Sequence, residues 1–182
     1  MVRVFDFCFG VFGLLLLFPL LLVIIILGYF DTGSPLFLQR RLGIDQREFT
    51  LIKIRTMKVS TSSMASHLVD RSSITPMGSF LRKYKLDELP QLINVIRGEL
   101  SLVGPRPCLP TQSELIKERE KNGIFSIKPG ITGLAQIRNV DMSDPTRLVK
   151  EEVKMISEWS LSMYFKLILK TASGQGAGDA VA

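Results

Sequence analysis

The sequence is poor in the residues that build most metal and nucleophile centres: one histidine and two cysteines in 182 residues. His67 is the sole histidine, so a Ser-His-Asp or Cys-His centre would rest on one residue inside a Ser-rich stretch, Ser60 to Ser73, that reads as a loop. This argues against histidine-based catalysis. Cys8 lies in an apolar run and Cys108 among prolines, with neither metal-ligand spacing nor a disulfide role, which fits a reducing, cytosolic setting. No internal repeat and no basic nucleic-acid motif is visible, so nucleic acid is not an expected partner. The length suits one domain with a real core rather than two.

What is present is positive charge and one long apolar run. The formal charge of +6 calls for an anionic partner, either an acidic membrane surface or a phosphorylated substrate once nucleic acid is set aside. From Phe7 to Phe30 there is no charged residue, which exceeds the roughly 18 apolar residues that mark a membrane helix. A cleavable signal would have an apolar core of about 7–15 residues and a small-residue cleavage site. This run instead leads into Phe30-Asp31-Thr32-Gly33. Pro19, near the middle, removes a hydrogen bond and bends the helix, so the segment reads either as a kinked span or as a re-entrant helix that enters and leaves by one face. The residues alone favour the span. Arg3 precedes the run, while Arg40, Arg41, Arg47, Lys53, Arg55 and Lys58 follow it against Asp45 and Glu48, which places the C-terminal side in the cytoplasm.

Beyond the run, Ser34 to Gly43 reads as an extended stretch turning at Gly43, and Phe49 to Ile54 alternates like a short strand, so a small hairpin is expected close to the bilayer. Its basic residues could simply meet lipid headgroups. Pro76 to Tyr84 and Leu89 to Ile96 read as helices, the second closed by Arg97-Gly98. Glu114 to Asn122 reads as a charged helix ended by Gly123, and Glu151 to Lys170 as one amphipathic helix lying on membrane or core.

Three features could carry chemistry. Asp87-Glu88 precedes Leu89-Pro90, and proline is tolerated only in a helix's first turn, so both carboxylates are expected at a helix N-terminus, beside any bound phosphate. Taken alone, Asp87 reads more readily as a cap. In Gly104-Pro105-Arg106-Pro107 two prolines restrict the backbone and would hold a guanidinium in one orientation, suited to bidentate phosphate binding; a turn with a solvated arginine is the plain alternative. Lys128-Pro129-Gly130-Ile131-Thr132-Gly133 looks like a second rigid loop whose glycines would let a ligand approach backbone, or an ordinary Pro-Gly turn.

The order of these pieces resembles the monotopic phosphoglycosyl transferases, also called bacterial sugar transferases. The likeness runs over nearly the whole chain, from Arg3-Val4-Phe5-Asp6 through Phe37-x-Gln39-x-Arg41-x-Gly43, Lys53-Ile54-Arg55-Thr56-Met57, Leu86-Asp87-Glu88-Leu89-Pro90-Gln91-Leu92, Asn94-Val95-Ile96-Arg97-Gly98 and Ser101 to Pro107 to Lys128 through Gln136. The resemblance implies a re-entrant helix over residues 1–30, broken at proline, and a membrane-associated catalytic domain over 31–182. The expected fold is a helix-rich α+β domain with a short β-hairpin and amphipathic interfacial helices, lacking a Rossmann sheet.

It further implies a Mg²⁺-dependent ping-pong transfer on the cytoplasmic face of the bacterial inner membrane. The residue at Asp87 would attack the β-phosphate of a UDP-sugar and release UMP, and polyprenyl (undecaprenyl) phosphate would then take the phosphosugar, the first membrane step of glycoconjugate synthesis. Glu88, with Asp87, is implied at the metal. Arg55, Arg82, Arg106 and Gln136 fall where phosphate- or nucleotide-binding groups are expected. The implied partners are UDP-sugar, polyprenyl phosphate and membrane lipids, and self-association stays open. The chain departs from the family at Phe18, where serine is common before the proline; at Leu134, where Trp is common; and at Glu152 and Met155, where Asp and Tyr are expected. The rival reading is a non-catalytic membrane-anchored lipid-binding protein in which Asp87 is only a cap. A polytopic transferase is disfavoured by the single long apolar segment.

Overall fold

The computed structural model describes residues 2–61 and 70–176, so His67 and part of the Ser-rich stretch lie outside the described residues. The first element, α1 (Val2–Thr32), stays helical through Pro19. Its buried residues are Asp6, Gly10, Leu21, Ile24 and Gly28, spacings that fall on one face at 3.6 residues per turn. Phe12, Leu15, Leu16, Phe18, Leu22 and Leu27 on the other faces are exposed. A helix that is apolar all round yet buries one stripe leaves the rest of its surface for lipid.

The expected hairpin forms. β1 (Leu36–Leu42) and β2 (Glu48–Ile54) pair antiparallel with Leu36 opposite Ile54 and Leu42 opposite Glu48. The chain reverses after Gly43 through Asp45 and Gln46, which take φ of 52° and 58°. Helix α2 (Pro76–Lys83) starts where Thr75 Oγ1 accepts from Gly78 N at 2.9 Å and Pro76 fills the first turn. Gly78 has no alternative, because a Cβ there would lie 2.0 Å from the Thr56 carbonyl oxygen.

Helix α3 (Gln91–Arg97) ends at Gly98, φ 84°, as the Gly signal indicated. Asn94 ties it to β2, accepting from Ile52 N at 3.1 Å and donating to Thr50 O at 2.8 Å. Then follow β3 (Ser101–Val103), α4 (Ser113–Lys121), β4 (Gly130–Thr132), α5 (Leu134–Ile137), α6 (Pro145–Ser157) and α7 (Leu161–Ala172). The single helix expected over Glu151 to Lys170 is two. Asp144 caps α6, accepting from Arg147 N at 3.0 Å, and Ser160 caps α7, accepting from Met163 N at 3.1 Å. The Ser160 cap breaks the chain where apolar periodicity alone ran on.

The described residues form an α+β domain with two two-stranded sheets and no Rossmann sheet. α1 joins its core at both ends. Near the start, the Arg3 guanidinium donates to the carbonyls of Val95 and, at 2.7 Å, Ile96, closing the C-terminus of α3. The buried carboxylate of Asp6 accepts from Ser101 Oγ (3.1 Å), Leu102 N (2.9 Å) and Tyr164 Oη (2.9 Å), tying α1 to β3 and α7. Near the other end, Leu21 and Ile24 pack with Ile54 and Leu81, and Thr75 Oγ1 donates to Asp31 at 2.6 Å.

Candidate active site

Lys85 leaves α2 in a left-handed conformation (φ 57°) and throws the chain into a 3-10 turn at Leu86–Glu88. Both carboxylates of that turn are buried, Asp87 at 4% exposure and Glu88 at 9%. They lie in the first turn of this short 3-10 helix rather than at the start of α3, as the sequence suggested: Leu89 and Pro90 intervene, and α3 begins at Gln91 with no side-chain cap. Pro90 does mark the boundary, but just before the helix rather than in its first turn. Helix α3 spans only seven residues, so its dipole is a weak source of charge stabilisation.

The charge is met by side chains instead. Lys53 Nζ and Arg106 Nη2 each stand 3.4 Å from Glu88 Oε1, and both are largely shielded from solvent. Attraction between such partners is stronger than at the surface, because less water screens it. Lys85 belongs to the same field: burial lowers its pKa, the Glu88 charge opposes that, and Arg106 adds to it. Its Nζ donates to Gln175 O at 2.6 Å.

Of the residues singled out from sequence, Arg106 is brought to Glu88. Arg55 braces the hairpin base, with Nε donating to Ser34 O at 2.9 Å, Nη2 to Leu36 O at 3.3 Å, and its guanidinium 5.3 Å from the Phe37 ring centre. Arg82 Nε donates to Thr56 Oγ1 at 2.8 Å, and buried Gln136 donates from Nε2 to Ile131 O at 3.0 Å. Lys53 was missed as a site residue although its signal was available. It shares the inward parity of β2 with Leu51, so a lysine stands where the strand buries its side chains.

The two loops expected to be rigid prove to be one structure. β3 and β4 pair in parallel, with Ser101 N donating to Pro129 O (2.8 Å), Gly104 N to Thr132 O (2.8 Å) and Gly130 N to Pro105 O (2.8 Å). A Cβ on Gly130 would sit 2.0 Å from Gly104 N, and one on Gly104 would sit 2.4 Å from Lys128 O. The glycines therefore admit backbone to backbone, where the sequence had suggested backbone to ligand. The crossing fixes the root of the Arg106 loop.

Among the described residues no group of three or more His, Cys, Asp or Glu could hold a metal by itself. Adjacent buried carboxylates at Asp87 and Glu88 fit the other way of binding Mg²⁺, in which one or two carboxylates share the ion with substrate phosphates.

A long apolar helix with most of its surface exposed, joined to a small α+β body in which the buried Glu88 carboxylate lies between Lys53 and Arg106, fits a membrane-associated protein suited to handling an anionic ligand. The chain belongs to the bacterial sugar transferase family, whose model matches residues 1–175. It is 36% identical over 170 residues to the uncharacterized sugar transferase EpsL of Bacillus subtilis (strain 168), covering 93% of this chain and 84% of that one. It is 37% identical to the undecaprenyl-phosphate glucose phosphotransferase of Komagataeibacter xylinus, covering 93% of this chain and 34% of the relative. It is 36% identical to the UDP-glucose:undecaprenyl-phosphate glucose-1-phosphate transferase of Xanthomonas campestris pv. campestris, covering 92% and 37%. The chain thus spans most of the first relative and little more than a third of the other two.

Proposed function

We propose that the protein transfers a sugar 1-phosphate from a UDP-sugar to a polyprenyl phosphate such as undecaprenyl phosphate, as the first membrane step of bacterial glycoconjugate synthesis. The names of the Komagataeibacter and Xanthomonas relatives support the reaction class. The observation that carries the reading is the buried Asp87-Glu88 pair, with Glu88 set between Lys53 and Arg106. α3 has no side-chain cap, so Asp87 does not serve as one.

In the first half-reaction a carboxylate oxygen of Asp87 attacks the donor's β-phosphorus. The bond from that phosphorus to the bridging oxygen breaks, and UMP leaves with the electron pair. An oxygen of polyprenyl phosphate then attacks the same phosphorus and frees Asp87. Anion meets anion in both steps, so Arg106 and Lys53 serve to offset the phosphate charge, with Arg55, Arg82 and Gln136 as further donor-binding candidates. Mg²⁺ held by Glu88 and Asp87 together with the donor phosphates would supply additional neutralisation.

In this reading α1 is re-entrant and lies on the cytoplasmic side of the inner membrane. Both ends of the helix pack on one domain, Arg3 and Asp6 against α3 and β3, and Leu21, Ile24 and Asp31 against β2 and α2. A transverse span of about 46 Å, at 1.5 Å per residue, would carry one end away from that domain. The reading is tested by offering the purified protein a panel of UDP-sugars with Mg²⁺ and no lipid acceptor. UMP release is expected for the true donor; its absence across the panel, with lipid binding intact, would favour the non-catalytic lipid-binding alternative.

A further inference from the structure

The backbone of the Arg106 loop is held from behind. Four consecutive carbonyls each accept a hydrogen bond from outside the loop: Pro105 O from Gly130 N (2.8 Å), Arg106 O from Arg119 Nη2 (2.8 Å), Pro107 O from Arg41 Nη1 (3.0 Å) and Cys108 O from Leu42 N (2.9 Å). Pro105 and Pro107 have no N–H and cannot join a ladder of their own, so the loop's position is set by these donors. Two of the four are guanidinium groups that are themselves fixed. Arg41 donates through Nε and Nη2 to Gln39 Oε1 at 3.1 and 2.6 Å. Arg119, 2% exposed, grips Glu152, 1% exposed, through Nε at 3.0 Å and Nη2 at 2.5 Å.

Arg106 is therefore gripped at both ends, its carbonyl by Arg119 and its guanidinium by Glu88. We infer that Arg41 and Arg119 are positioning residues for Arg106, and that Glu152 keeps Arg119 aimed at the Arg106 carbonyl. A buried ion pair is a poor device for stability alone, since well-packed apolar residues commonly replace it without loss. What apolar residues could not replace is the third bond, from Arg119 to the loop. A misplacement of about 1 Å in a binding group can cost on the order of a hundredfold in rate. The inference rests on reading Arg106 as a ligand for donor phosphate.

The test is a double-mutant cycle on the full chain in lipid nanodiscs, with UDP and Mg²⁺ as the binding probe. One arm carries Arg119→Met with Glu152→Leu, which removes both charges and the donor to Arg106 O. The other carries Arg106→Ala. Coupled residues show large departures from additivity. We expect the pair change to weaken UDP binding about tenfold when Arg106 is present and less than about twofold in the Arg106→Ala background. The shift in unfolding temperature should be the same in both backgrounds. An equal factor in both would overturn the inference and leave Arg106 a phosphate ligand. Normal UDP binding by Arg106→Ala would overturn the reading beneath it as well. If the pair variant fails to fold, Arg41→Lys probes the second anchor by the same cycle, with the same coupling expected and additivity again fatal.

Discussion

Replacing Gly130 by alanine adds one methyl group where β4 crosses the Gly104 backbone. The new Cβ would lie 2.0 Å from Gly104 N, 2.6 Å from Val103 C and 2.7 Å from Gly104 Cα, all main-chain atoms that cannot rotate away. Relief requires the strands to part by an ångström or more, which stretches the hydrogen bonds Ser101 N to Pro129 O, Gly104 N to Thr132 O and Gly130 N to Pro105 O. At about 1 kcal/mol net for each bond, the loss is about 3 kcal/mol, within the usual range for overpacking. For a domain of this size that lowers the unfolding temperature by about 6–12 °C. Gly123→Ala is the control: its φ is +68° but nothing lies within 4 Å of its Cβ, so only backbone strain of about 1 kcal/mol is expected. Thermal unfolding in detergent micelles reads both variants. The crossing would be looser than described if Gly130→Ala melted no lower than Gly123→Ala.

Glu152→Ala strands the buried Arg119 charge and should cost about 3–5 kcal/mol, far more than replacing both partners by apolar residues; chemical denaturation of the two variants makes the comparison. In a Cys8→Ser background the Cys108 thiol should resist a soluble maleimide at pH 8 until the protein unfolds, because burial raises its pKa despite the opposing Arg119 and Arg41 charges, and intact-mass measurement would show any adduct. For the helix course, Val4→Cys and Ser34→Cys in a Cys8→Ser background should both escape a membrane-impermeant reagent in intact spheroplasts and both react after lysis; labelling of Val4→Cys from outside would restore the spanning reading. Glu88→Gln should require more Mg²⁺ for half-maximal UMP release while keeping the fold, and an unchanged Mg²⁺ curve would remove Glu88 from the metal.

Local signals made much of this fold readable. The apolar run, the turn at Gly43, Pro76 and Gly98 after Arg97 each announced an element that forms within a few residues of its expected place. The signals failed where pairing is non-local. Three-residue strands at Ser101 and Gly130 show no usable alternation, so the parallel crossing was hidden, and with it the reason for both glycines. Asp6 stood in a family motif and Glu152 as a departure from it, but nothing local in the sequence named Tyr164 or Arg119 as their partners. The Asp87-Glu88 pair was legible as chemistry but misplaced in structure, because Pro90 marks a helix boundary without saying on which side of it the preceding residues fold.

The proposed transfer requires that Asp87 become covalently bonded to the phosphosugar. The direct measurement is peptide mass spectrometry after incubating the protein with its UDP-sugar donor and Mg²⁺, without lipid acceptor, and quenching in acid. A phosphosugar adduct is expected on the peptide bearing Asp87, lost when polyprenyl phosphate is added and absent from Asp87→Asn. Substantial turnover by Asp87→Asn, or an adduct on a different residue, would contradict it.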